Sequence, residues 1–135
     1  MNNRERQRIL NAACNAVAAA LPEAWAIYVY GSFARGDEYP ESDLDLAVLL
    51  GPGRAIPDKL ALIAKVSQQV GRDVDIVNLR EAGLDLVHEL LLHGRPLLVR
   101  RDDEVLGWEA EQMSDYAEFN PRRSEILKLY LNEQM

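Results

Sequence analysis

The chain has 135 residues, 48% of them apolar, and a formal net charge of −7. Length and apolar content suit one folded domain, whereas the acidic balance argues against general DNA or RNA binding, which depends on Lys and Arg neutralising phosphates. Cys14 is the only cysteine, which excludes an intrachain disulfide and a cysteine-based zinc site and favours a cytoplasmic protein.

Residues 3–20 predict a helix. Leu10, Cys14, Val17 and Leu21 recur at helical spacing, Asn11 and Asn15 interrupt what would otherwise imitate a signal peptide, and Leu21-Pro22 ends the run. A strand follows at 25–30. It runs into Gly31-Ser32, where glycine permits a tight turn and close approach to a ligand, and the following N–H groups can cradle a phosphate. Ser32 adds a hydroxyl, and Arg35 adds a positive fork that suits phosphate or can brace the turn through Asp37 or Glu38. A short helical turn is expected after Ser32, then a loop.

The second strand, 43–50, alternates. Asp43 and Asp45 share one face while Leu44, Leu46 and Val48 share the other, and Gly51-Pro52-Gly53 closes it. A helix is expected between Pro57 and Gly71 with Leu60, Ile63, Ala64 and Val70 on its apolar side. The third strand, 73–78, again puts two aspartates on one face. Asp75 is the stronger site candidate because it lies inside the apolar run, with Asp73 in reserve. A helix over 82–93 carries Leu84, Val87, Leu90 and Leu91 inward, leaves His88 and His93 as surface or capping residues, and ends at a Gly94 cap. Leu97 to Val99 form a short strand. A helix over 102–119 aligns Val105, Trp108, Gln112, Tyr116 and Phe119, Asn120-Pro121 breaks it, and a last helix holds Ile126, Leu127, Tyr130 and Leu131. No stretch approaches the apolar length of a membrane span.

Two carboxylates held close together repel each other, and a hard cation such as Mg²⁺ relieves that repulsion. A single Asp-x-Asp pair is ordinary for a half-solvated strand. Two such strands, with a glycine turn at a fixed distance, point to a nucleotide and metal site.

Gly31-Ser32, a ten-residue spacer containing Ala34-Arg35-Gly36 and ending in Ser42, and Asp43-Leu44-Asp45 together resemble the signature of the minimal nucleotidyltransferases of the DNA polymerase beta superfamily. The likeness continues through Asp75 to His93-Gly94 and is strongest to the antitoxins paired with HEPN-domain ribonuclease toxins. The pattern alone establishes only α/β; the resemblance implies a small mixed sheet flanked by helices. It also implies two Mg²⁺ ions at Asp43, Asp45 and Asp75, those three as catalytic residues, and ATP at Gly31, Ser32 and Arg35. The implied activity is transfer of AMP from ATP to a tyrosine hydroxyl of the partner HEPN ribonuclease, which neutralises it. The chain has no Arg followed four to six residues later by His, so it reads as the antitoxin. The alternatives are a nucleotide-binding antitoxin that acts sterically and an aminoglycoside-type small-molecule nucleotidyltransferase. One domain is expected over 1–135, with the helical segment at about 102–133 used for docking the partner. Direct nucleic-acid or membrane binding is not expected.

Overall fold

The computed structural model describes residues 1–119, with side chains described to residue 115. Helix α1 spans Asn3–Ala20, and Asn2 caps it by accepting from the Glu5 N–H at 2.8 Å. Its buried residues Ile9, Leu10, Ala13, Ala16 and Val17 form one helical stripe. At its far end Arg100 donates to the carbonyls of Ala18 and Leu21, satisfying helix-end acceptors that would otherwise need water.

Strands β1 (Ala26–Tyr30), β2 (Leu44–Leu49), β3 (Val74–Asn78) and β4 (Arg95–Val99) form one mixed sheet in the order β3-β2-β1-β4. β1 runs antiparallel to β2 and β4, while β2 and β3 are parallel. A parallel pair needs a crossover, and α3 (Lys59–Val70) supplies it between an Asp58 cap and Gly71. The remaining helices are α2 (Ser32–Arg35), α4 (Leu84–His93) and α5 (Asp102–Phe119).

Each face of the sheet carries its own core. Ile27, Val29, Leu44, Leu46, Val48, Val74 and Ile76 pack against α1 and α3, with half-buried Cys14 at the margin. On the opposite face Ala26, Tyr28, Ala47 and Leu49 meet Val87 and Leu90 of α4 and Val105 and Trp108 of α5.

Several side chains sit differently from the pattern. Leu60 is 80% exposed, because α3 begins at Lys59 and buries Leu62 and Val66 instead. Leu84, the first residue of α4, is 45% exposed, while His88 is only 7% exposed and occupies an inward position beside Val87. β4 starts two residues earlier than expected and includes Pro96, which is tolerated because this is an edge strand. In α5, Val105, Trp108 and Met113 are buried in the domain itself, so they leave the expected docking face. The expected helix with Ile126, Leu127, Tyr130 and Leu131 lies outside the described residues. Among the described residues, no helix is long and apolar enough to cross a membrane.

Gly94 ends α4, but with φ −79° and ψ 174° it is extended and not left-handed. Its requirement is space: a Cβ there would lie 2.6 Å from the Leu90 carbonyl oxygen and 3.1 Å from that of Val29. Gly94→Ala should therefore cost about 1–3 kcal/mol, read as a lower midpoint in urea unfolding with unchanged m.

Candidate active site

Among the described residues, the site forms where the α4/α5 face of the sheet loses its helical cover. β1 ends at Tyr30, which pairs with Asp45, and the next residue turns the chain sharply: Gly31 has φ 72° and ψ −150°. L residues rarely adopt that conformation, and a Cβ at Gly31 would run into the Asp45 carboxylate. The turn can therefore lie against Asp45 only because residue 31 has no side chain. α2 follows at once. Phe33, 1% exposed, anchors this short helix in the core, and the Gly36 N–H closes it on the Ser32 carbonyl at 2.9 Å. Ser32 is left half-buried at the mouth of the turn.

The parallel register of β2 and β3 sets Asp45 directly beside Asp75, on the same face. Asp45 is half-buried and Asp75 exposed. Asp43 lies one residue before β2 and is exposed; Asp73 lies one residue before β3, where its carbonyl accepts the Leu44 N–H at 2.9 Å. Burial first, then the charges of Asp75 and Asp43, push the Asp45 carboxyl above the usual range, with Arg35 opposing them. The same surroundings reach Tyr30, whose phenol is pushed up to about 12 by burial and then by Asp45 and Asp75. Tyr30 thus remains a neutral phenol at the rim of the acidic site at neutral pH. The sequence reading missed it, although its place immediately before Gly31, two residues after inward-facing Tyr28, was the available signal.

Arg35 points two ways. It bonds Asp37 at 3.2 Å and lies 3.8 Å from Glu89 of α4, so it braces the turn as well as lending positive charge towards Asp45. From the other side Arg6 of α1 donates to Glu38, tying the loop before Asp43 to the first helix.

Among the described residues, no group of three His, Cys, Asp or Glu side chains stands ready to enclose a metal ion. The donor set nonetheless fits Mg²⁺. That ion takes oxygen ligands, keeps several waters and is commonly held by one or two carboxylates together with substrate phosphates. Asp45 and Asp75 provide adjacent carboxylates, and the bare Gly31 leaves room for the Asp45 carboxylate beside the turn.

The profile of the polymerase beta nucleotidyltransferase family matches residues 13–104, which include every residue of this site. The chain belongs to that family, in its minimal nucleotidyltransferase branch. It is 29% identical over 108 residues, 79% of this chain and 76% of the relative, to the protein adenylyltransferase MntA of Shewanella oneidensis. It is also similar to a chain in the crystal structure of a toxin–antitoxin with AMP-PNP, with TM-score 0.72, 25% identity and coverage of 90% of this chain and 98% of the other. A third likeness is to a structure of tri-AMPylated Shewanella oneidensis HEPN toxin in complex with MNT antitoxin; it has TM-score 0.69, 24% identity and coverage of 93% and 98%, and is a likeness of fold.

Crowded carboxylates have a measurable signature. Because the folded-state pKa of Asp45 is raised, its ionisation costs stability at pH above that value, and the cost is relieved as pH falls through it. Asp45→Asn should accordingly raise Tm by a few degrees near neutral pH without nucleotide. That gain should shrink through the carboxylate range and vanish below about pH 4 in a pH series of thermal melts.

Proposed function

We propose that this chain is an antitoxin that transfers AMP from ATP to a tyrosine hydroxyl of a partner HEPN-domain ribonuclease and thereby silences it. The observation that carries the reading is the contact of the Gly31 turn with Asp45, beside Asp75, at the acidic end of the sheet. The likeness to MntA and to the toxin–antitoxin structure with AMP-PNP supports the donor and the partner class.

Each residue has a part. Asp43, Asp45 and Asp75 would hold two Mg²⁺ ions, which when bound neutralise triphosphate charge and acidify the acceptor hydroxyl. The Gly31 turn lets the phosphates approach the backbone closely, and Ser32 offers its hydroxyl to them. Arg35 keeps the turn in place and contributes charge towards the nucleotide. Asp75, exposed on an edge strand, takes the proton of the incoming tyrosine, whose pKa of about 10 leaves it protonated near neutral pH. The tyrosine oxygen forms a bond to the α-phosphorus as the bond to the bridging oxygen breaks, and pyrophosphate leaves with that electron pair.

The whole chain acts as one domain in this scheme. The toxin docks on the part of 102–133 that the domain's own core does not use, and the reaction takes place in the cytoplasm.

Purified toxin mixed with this chain, ATP and Mg²⁺ should gain mass in steps of one adenylate on a tyrosine. Asp43→Asn and Asp45→Asn should each slow that gain about 100-fold or more. Full neutralisation by both variants with no mass change would leave steric blocking as the activity and remove this reading.

A further inference from the structure

Asp43 is the least supported of the three carboxylates by its own strand. It precedes β2, so no rung of the ladder holds it. Its two neighbours are held instead, both by the Arg72-Asp73 step that leads into β3. Arg72 Nη1 donates to the Ser42 carbonyl at 3.0 Å, and the Leu44 N–H donates to the Asp73 carbonyl at 2.9 Å. The Arg72 guanidinium also lies over the ring of Phe33, with Cζ 5.1 Å from its centroid. Phe33 is the buried residue immediately after Ser32. One planar cation therefore touches the element bearing the glycine turn and the peptide group leading into Asp43.

The chemistry of the side chain suits that task. Arginine can stack its flat face on a ring while an edge N–H bonds a carbonyl; lysine, a point charge on a flexible stem, cannot hold both contacts in a fixed relation. Arg72 Nε is buried without a hydrogen-bond partner among the described residues, so the placement is not the one that would satisfy the most donors.

We propose that Arg72 is a positioning residue that sets the distance between the Gly31-Ser32 turn and Asp43, an inference that rests on the adenylyl-transfer reading. Arg72 touches no reacting atom; it acts through Ser42 and Phe33. Losing it lets Asp43 drift from the turn, and displacements on the scale of 1 Å can cost about 100-fold in rate.

The test uses the full chain with Arg72→Lys and Arg72→Gln, the lysine variant carrying the result if the glutamine one does not fold. Both should lower kcat for adenylate transfer by about 10- to 100-fold while KM for the toxin changes by less than about threefold and Tm by a few degrees. A second readout needs no turnover: Mn²⁺ binding in the presence of a non-hydrolysable ATP analogue, measured by electron paramagnetic resonance, should weaken several-fold, as it should also for Asp43→Asn. Wild-type kcat and Mn²⁺ affinity in Arg72→Lys would overturn the proposal. So would a loss that disappears once each variant is assayed well below its melting temperature, since that is plain destabilisation. If the wild type moves no adenylate, the transfer reading fails and the Mn²⁺ result alone judges Arg72: weaker binding sustains the role, while unchanged binding, or no uptake by the wild type, ends it.

Discussion

The contact between Gly31 and Asp45 constrains everything around it. A side chain at residue 31 would occupy the position of the Asp45 carboxylate, so the end of β1, the start of α2 and the acidic part of β2 can converge only around a glycine. The antiparallel β1–β2 register then puts Tyr30 across from Asp45, and the parallel β2–β3 register puts Asp75 on its other side. The remaining architecture holds those three strands between two cores. Among the described residues, apolar positions on one part of this face meet α4 and α5, and beyond them the same face turns acidic.

That arrangement sets function against stability. Burial and the neighbouring charges of Asp75 and Asp43 raise the cost of ionising Asp45, and a protein selected only for stability would replace one of these carboxylates. A cation and a polyphosphate placed against them would offset the repulsion. The span that matches the polymerase beta nucleotidyltransferase family contains the glycine turn and all three aspartates.

Much of this was legible in the residues. Strand alternation placed Asp43 and Asp45 together and separated them from Leu44 and Leu46, and helical periodicity with a proline stop bounded the first helix at 3–20. Periodicity alone failed at helix starts. Leu60 and Leu84 fit the apolar stripes but occupy first turns that protrude beyond the packed surface, while His88 lies on the buried side of α4 despite its polarity. Contacts between distant elements left no local trace: nothing near Arg35 announces Glu89, and nothing near Asp43 announces Arg72. Such pairings depend on strand order, which no single segment encodes.

Asp75 lies on β3, which among the described residues is a border of the sheet with no neighbour beyond it. An unpaired border invites another chain to add its own strand, the route by which sheets grow into aggregates. Charged side chains along a border discourage such growth, and here Asp73 and Asp75 supply them. At the opposite border Pro96 lacks the amide hydrogen that an added strand would seek. The Asp75 carboxylate that stands beside Asp45 thus also helps keep copies of the protein from zipping together.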